Sequence, residues 1–492
     1  MRILFVYPEY PETFWSFKHV LKFISKKAAF PPLGILTISS MLPPETEKKL
    51  IDLNIEELSK DDVMWADYVF ISAMIVQKDS VMKISRFAKS LGKKVVAGGP
   101  LFSVENIDDF RRIDNFVLDE GEVTFPMFIS DLSKGRPLQK VYTSTLKPDL
   151  RSTPLPDWNL IKIEKYATML IQFSRGCPFD CDFCDITRLN GRKPRTKGAD
   201  QIVSELDSLY NAGWRGPVFM VDDNFIGNRS MVKEALKHIL TWSRAKGFPF
   251  SFLTEASLDI ADDQELMDLM VMTNFRTVFL GIETPNNDSL QECNKFQNSS
   301  RDMAISVRKI QGSGLQVQGG FILGFDSDPN DIFEKQIKFI QKIGVATAMV
   351  GLLNAVPGTK LYKRLKKEGR ILNDSSGNNT DSSVNFMPKM DKERLIEGYK
   401  DVIRTLYSSK NYYDRIMTFV AHYTPKMPNS RFSLRDLKAL FMSMWILGVI
   451  DNGRKYYWKA FTMTLAKNPR AFSTVMTLMI YGFHFRKMAQ VL

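Results

Sequence analysis

A chain of 492 residues that is 44% hydrophobic and 25% charged carries enough apolar surface for packed cores, which excludes a disordered or fibrous protein. Its four cysteines, three of them within eight residues, exclude a disulfide framework. The net charge of +12 points to a basic region, and the length allows three domains at about 150 residues each.

The chain opens on MRILFVYP, a first strand and not a secretory leader, and no apolar run reaches the ~20 residues of a membrane span, so a cytoplasmic protein is expected. Residues 1–140 carry five apolar strand candidates: RILFVYP (2–8), KLIDLN (49–54), YVFISAM (68–74), KVVAGGP (94–100) and NFVLDEGE (115–122). Their alternation with helix-length segments predicts a Rossmann-like, doubly wound α/β sheet. No G-x-G-x-x-G follows the first strand and no P-loop occurs, which argues against a dinucleotide site. The strand ends offer instead Pro31-Pro32-Leu33-Gly34, Ser72 to Gln77, Gly98-Gly99-Pro100 and Glu120-Gly121-Glu122. Glycine there lets a backbone pass close to a flat ligand with no Cβ in the way. Pro137, Pro148, Pro154 and Pro156 then break any periodic pattern, and 141–165 reads as a linker.

The run SRGCPFDCDFCDI places Cys177, Cys181 and Cys184 in a C-x₃-C-x₂-C spacing. A [4Fe–4S] cluster that only carries electrons has four cysteine ligands. Three leave one iron open to bind a small molecule through its amino and carboxylate groups. The competing readings are a zinc site and a disulfide, and the rest of the chain weighs against both. No histidine lies near the triad, the four being His19, His238, His422 and His484, and the one other cysteine, Cys293, reads as a small buried hydrophobe.

After a strand at 168–173, the apolar runs VFMVDD (218–223), FSFLTEAS (250–257), TVFLGIET (277–284), VQGGFILGF (317–325) and TAMVGLLNAVPG (347–358) alternate with amphipathic segments at 199–212, 231–246, 263–273 and 301–312. This predicts a (β/α)₆ partial TIM barrel over 166–374, whose chemistry sits at the C-terminal strand ends. Those ends carry Asp222, Asp223 and Asn224, then Glu255 and Ser257, Glu283 and Thr284, and Asn354. SSGNNTDSS (375–383) belongs to a second linker, 375–387.

Residues 388–492 form a helical, basic C-terminal domain, with 18 Lys and Arg against 7 Asp and Glu, a net charge of +11. Two apolar stretches, ALFMSMWILGVI (439–450) and AFSTVMTLMIYGF (471–483), are too short to span a bilayer. They read either as interfacial helices against anionic head groups, giving peripheral contact with the inner membrane face, or as core helices with a solvated basic side. No nucleic-acid motif is present, and no nucleic-acid partner is expected.

With the aromatic Phe183 just before its third cysteine, the cysteine motif resembles that of the radical S-adenosylmethionine (SAM) superfamily. That resemblance implies that Cys177, Cys181 and Cys184 hold a [4Fe–4S] cluster. It also implies that SAM binds the open iron and is cleaved to a hydrogen-abstracting 5′-deoxyadenosyl radical. Glu255 and Glu283 would contact the ribose and methionine moieties, and Gly320-x-Ile322-x-Gly324 would pass beside the adenine. The family's Gly-Gly-Glu contact to the SAM amino group is absent, Asp222-Asp223-Asn224 standing at the end of the second strand.

The PPLG, GGP and EGE loops ahead of such a barrel resemble the cobalamin-binding radical SAM class over about residues 1–370. The resemblance implies a cobalamin site at Pro32, Gly34, Ser72, Gly98, Gly99, Pro100 and Gly121. The D-x-H-x-x-G motif that presents an axial histidine is absent, so cobalt without a histidine ligand is expected, His19 being the alternative. With its N-terminal YPEYPETFWSFKH and its basic C-terminal domain, the chain is most similar to the hopanoid methylase-like members. The activity this implies is C-methylation of an unactivated carbon of a small-molecule or lipid substrate, with an electron donor such as flavodoxin or ferredoxin. The alternatives are a methylase of peptide or protein side chains, a cobalamin-dependent cyclase and, outside enzymes, a cluster-bearing electron carrier or cobalamin sensor.

Overall fold

The computed structural model describes residues 1–373, 375–378, 380–426 and 434–491. Six parallel strands, β1 (Arg2–Tyr7), β2 (Glu47–Asp52), β3 (Tyr68–Ser72), β4 (Lys94–Gly98), β5 (Asn115–Val117) and β6 (Val141–Tyr142), form one sheet in the order β2-β1-β3-β4-β5-β6. The chain reverses direction of winding at β1, so a crevice opens beyond the C-terminal ends of β1 and β3, where doubly wound sheets bind ligands. The apolar runs are buried on both faces, as a helix-covered parallel sheet requires. Alternate side chains of β1 go to different cores: Ile3 and Phe5 join a large core shared with the rest of the chain, and Leu4 and Val6 join a smaller core on the outer face. Within 141–165, read from its prolines as a linker, β6 adds a sixth strand by pairing Val141 with Phe116. A two-residue strand has no periodicity to detect.

A second parallel sheet follows. After β7 (Met169–Ile171) comes a two-stranded antiparallel ladder, β8 (Ser174–Arg175) with β9 (Arg195–Thr196). The remaining strands are β10 (Pro217–Met220), β11 (Ser251–Ala256), β12 (Phe275–Glu283), β13 (Gln316–Leu323) and β14 (Ala348–Leu352), ordered β14-β13-β12-β11-β10-β7. This is a six-stranded partial barrel, with the crossover helices Ala199–Asn211, Arg229–Ala245, Gln264–Met272, Met303–Gly312 and Ile332–Ile343. Side-chain caps start three of them: Asn228, Asp263 and Asp302 accept from the amides of Met231, Leu266 and Ile305.

The C-terminal region is helical, with Lys392–Leu406, Ser409–His422, Leu434–Trp445, Arg454–Lys467 and Phe472–Val491. The fully buried Arg415 ties it to the barrel by donating to the carbonyls of Ala346 (3.1 Å) and Leu406 (3.0 Å). Of the two apolar stretches, 471–483 is core: Val475, Leu478 and Met479 are fully buried, which overturns the interfacial reading for that stretch. No helix among the described residues is long and apolar enough to cross a membrane.

Candidate functional site

The cysteine loop leaves the C-terminal end of β7 and is pinched at its base by β8 and β9, Ser174 opposite Thr196 and Arg175 opposite Arg195. Gly176 has φ +101°, and a Cβ there would stand 2.9 Å from the carbonyl oxygen of Gly191, so glycine is required where the two ends of the loop meet. The acids that end β10 hold this loop. Asp222 accepts from the amides of Phe173 (3.4 Å) and Ser174, and Asp223 from the amide of Gly176 (2.7 Å) and Asn190 Nδ2 (2.9 Å). Burial pushes the Asp222 carboxyl up to about 7 and also raises Asp223. Both oxygens of Asp222 and Oδ2 of Asp223 are thus committed to the loop.

Cys177, Cys181 and Cys184 are half-buried free thiols on this loop; Cys293 is buried nearby, its Sγ donating to Leu290 O (3.5 Å). Amide donors face two of the loop sulfurs, Asn224 Nδ2 at 3.8 Å from Cys177 Sγ and Gln297 Nε2 at 3.8 Å from Cys181 Sγ. Burial pushes the Cys184 thiol up to about 12 and raises Cys177, so these groups ionise only against a positive centre. Lys295 supplies one positive charge. Burial works against its ammonium, but Glu283, 2.8 Å away, and the thiols of Cys181 and Cys184 outweigh that, and its pKa is raised.

Glu283 sits where the register slips between β12 and β13, in the left-handed region at φ +67°. A Cβ on Gly281 would lie 2.5 Å from Glu283 Oε1 and 2.8 Å from Lys295 Nζ, so the pair depends on that glycine. The carboxyl of Glu255, at the end of β11, receives no hydrogen bond among the described residues. Burial, then the charges of Asp223 and Asp222, push it up to about 7.

Two cavities meet this barrel mouth. The first, about 410 Å³, lies between the sheets and is lined by Gly34, Ser72, Gly98, Gly99, Pro100 and Gly121, with Gln172, Arg175 and Val221 of the barrel opposite. Pro32 stands outside the lining, as the residue preceding the helix Leu33–Ser39. The glycines serve less to clear space for a ligand than the sequence suggested. A Cβ on Gly98 would meet Val117 O at 2.7 Å, on Gly99 Ala73 O at 2.8 Å and on Gly121 Ile38 Cδ1 at 2.4 Å; only Gly34 faces open space. His19 lies outside this lining, against Glu12 (3.4 Å) and the ring of His484.

The second cavity, about 500 Å³, is walled by Tyr10, Trp15, Phe30, Phe279 and Met349, with Phe183 of the cysteine loop. Glu283 is its one charged lining residue among the described residues, and Gly320 and Ile322 line it too. Gly324 does not; a Cβ there would meet Leu395 of the helix Lys392–Leu406 at 3.0 Å. The YPEYPETFWSFKH segment supplies one wall and is held from behind by His484, whose Nε2 lies 3.1 Å from Thr13 O and 3.2 Å from Phe14 O.

Comparison with known proteins gives this geometry a family. Residues 171–340 match the Radical SAM superfamily, and residues 359–492 match a domain of unknown function, DUF4070. An uncharacterized methyltransferase of Synechocystis sp. is 42% identical over 100% of this chain and 92% of its own length. The hopanoid C-2 methylase of Rhodopseudomonas palustris is 34% identical over 93% of this chain and 88% of its own. The chain belongs to this radical SAM methyltransferase family. Among solved structures, the cobalamin-dependent radical SAM enzyme OxsB aligns over 100% of this chain and 80% of its own, with TM-score 0.65 at 15% identity. The radical SAM methyltransferase TsrM of Kitasatospora setae covers 94% of this chain and 99% of its own, with TM-score 0.63 at 15% identity. Both share the fold.

The residues of this radical SAM chain fit the groups its family implies. Three thiols on one loop, met by two amide donors and a buried ammonium, suit an anionic cluster whose sulfurs need hydrogen bonds. Among the described residues no three His, Cys, Asp or Glu side chains converge on a single ion; thiolates that each bind a different iron of a cluster need not. The first cavity has largely apolar walls, the amides of Gln172 and Asn190, and a buried Glu205 Oε2 with no hydrogen-bond partner among the described residues, groups suited to a corrin rimmed by carboxamides. Sequence reading missed Lys295, Arg195 and His484. Lys295 and His484 stand in no motif, and Arg195 acquires meaning only once β9 pairs with β8.

Proposed function

We propose that the protein is a cobalamin-dependent radical SAM methyltransferase that adds a methyl group to an unactivated carbon of a hopanoid-type polycyclic lipid. The second cavity supports the substrate class: largely aromatic and aliphatic walls, with Glu283 as their one charged group among the described residues, open beside the cysteine loop and suit a bulky apolar ligand. When bound, the cluster with SAM supplies a hydrogen-abstracting radical and cobalamin supplies the methyl group.

The chain's own residues set the conditions for that chemistry. Cys177, Cys181 and Cys184 would hold the cluster, and Asn224, Gln297 and Lys295 offset its charge. Glu255, whose carboxyl has no donor among the described residues, would take the ammonium of SAM. Trp15, Phe30 and Phe279 hold the ring system by apolar contact and exclude water from a carbon radical. Hydrogen leaves the substrate as an atom, so no general base is needed, and no histidine lines either cavity among the described residues. A one-electron donor such as a flavodoxin or ferredoxin, and peripheral contact of 388–492 with the inner membrane face, complete the reading.

The test is anaerobic turnover of reconstituted protein with methyl-deuterated SAM, a reductant and hopanoid lipid. Label in the lipid together with released 5′-deoxyadenosine is the expected result. Cleavage of SAM with label found only in peptide would overturn the lipid assignment.

A further inference from the structure

The C-terminal helices leave one apolar face uncovered. Helix Leu434–Trp445 and the π-helical turn Ile446–Ile450 that continues it expose Leu437, Phe441, Trp445, Val449 and Ile450 by 41, 61, 62, 49 and 61%. The first four recur every fourth residue and so run along one side. The other side is the packing side. Ser443 and Leu447 are fully buried, Ser443 Oγ lies 3.0 Å from Tyr457 OH, and Trp458 Nε1 donates to Gly448 O at 2.8 Å. The stripe is therefore a second apolar face on a well-packed helix, and none of the described residues covers it. Clustered exposed Phe, Trp and Ile mark an interaction surface.

The surrounding charge says what kind. Lys438, Arg454, Lys455, Lys459, Lys467 and Arg470 are exposed, whereas 434–491 holds two carboxylates, Asp436 and Asp451, and Asp451 is paired with Arg486 at 3.0 Å. An apolar stripe with Trp at its centre, in a region rich in exposed cations and poor in acid, matches the layered chemistry of an anionic bilayer, acyl boundary under phosphate. We propose that the face from Leu437 to Ile450 seats the protein on an anionic lipid surface, the helix lying in the plane of the interface. This deepens the membrane contact proposed above and rests on that contact alone, not on the methyl transfer. The seat is joined to the site. Lys438 Nζ reaches Ser25 Oγ at 2.9 Å, and His484 holds Thr13 and Phe14, which wall the second cavity.

The test is flotation of the full-length protein with phosphatidylglycerol or phosphatidylcholine vesicles, at low salt and at 1 M salt, where the screening length falls to about 3 Å. Expected are flotation with the anionic vesicles at low salt, at least tenfold weaker partitioning on neutral vesicles or at high salt, and at least a tenfold loss in Phe441→Ser/Trp445→Ser with its circular dichroism unchanged. A double variant that floats like the parent overturns this face and leaves the membrane contact standing. A parent that never floats overturns both. Loss of a concentration-dependent dimer in the variant, with no flotation of either protein, assigns the face to a second copy of the chain. Methylation of detergent-dispersed lipid by the variant at the parental rate keeps these outcomes separate from the chemistry.

Discussion

Arg175 and Glu122 meet across the boundary between the two sheets in a two-pronged contact, Nη2 to Oε1 at 2.7 Å and Nη1 to Oε2 at 3.0 Å. One is two residues from Cys177; the other lines the first cavity. On the paired strand, Arg195 makes the same fork with Glu120, at 2.7 and 3.1 Å, and Lys147 Nζ stands 3.4 Å from that acid. Both acids of the EGE loop are thus held by the ladder that carries the cysteines, which ties the cavity rim to the cysteine loop.

Burial alone would raise the Glu122 carboxyl, but Arg175 outweighs it and holds the group below its usual range. A lowered carboxyl stabilises the fold above the unfolded value near 4.5 and loses that contribution as pH falls. Glu122→Ala leaves a largely buried guanidinium short of a partner and should cost about 3 kcal/mol at neutral pH by urea unfolding. The deficit should shrink in acid. A variant as stable as the parent at pH 7 would show that the fork is held from elsewhere.

Gly281→Ala puts a methyl group into the space of the Glu283–Lys295 pair and must displace one of them. The variant should still reconstitute iron and sulfide, because the cysteines are untouched, yet bind SAM at least tenfold more weakly by equilibrium dialysis. Replacing Cys177, Cys181 and Cys184 together by Ala should abolish the cluster's visible absorbance, and Cys293→Ala should retain it, since its Sγ is turned to Leu290 O. Full iron content in the triple variant would remove the cluster from this loop.

His484 is fully buried, and burial pushes its imidazole down to about 4. Both groups at its Nε2 are carbonyls, so the neutral ring with the proton on Nε2 is the bound form. The unfolded chain takes up a proton near pH 6.5 that the folded chain refuses, so stability is full above that value and falls as pH drops toward 4, by on the order of 2–3 kcal/mol. His484→Gln keeps a donor and removes the titration. Its thermal midpoint should vary less than the parent's between pH 7 and 4.5, and an equal fall in both would exonerate the histidine.

The strands, the barrel and the cysteine loop were legible because each leaves a local trace: apolar runs bounded by turn residues, and three thiols at fixed spacing. What tertiary pairing creates was not legible. The Arg175–Glu122 fork joins residues 53 apart, and no pattern in either segment announces the other. Gly98 and Gly99 were read as positions where a backbone passes close to a flat ligand, yet what stands against them is Val117 and Ala73. The two apolar stretches of the C-terminal region look alike in sequence; only packing shows that Val475 and Leu478 are core whereas Phe441 and Trp445 face outward.

Glu255 offers a test of the SAM site in which two measurements move in opposite directions. Burial, with Asp223 and Asp222 beside it, pushes its carboxyl up to about 7, so it is neutral in mild acid and ionised above neutrality. A raised carboxyl stabilises the fold fully below the unfolded value near 4.5 and loses that contribution as pH rises through about 7, so the free protein should unfold more easily at pH 7.5 than at 5.5. SAM keeps its ammonium over this range, below the ~7.7 of an α-amino group, and binds the ionised carboxylate. Its affinity should therefore rise over the same interval, by up to about tenfold per pH unit below the carboxyl's own pKa. Glu255→Gln should flatten the affinity profile at its weak end and remove part of the stability trend, the remainder belonging to Asp222, also near 7. Calorimetric titration of SAM and thermal unfolding of the SAM-free protein, at matched pH, read the two slopes. A parental affinity that does not change between pH 5.5 and 7.5 would take the ammonium contact away from Glu255.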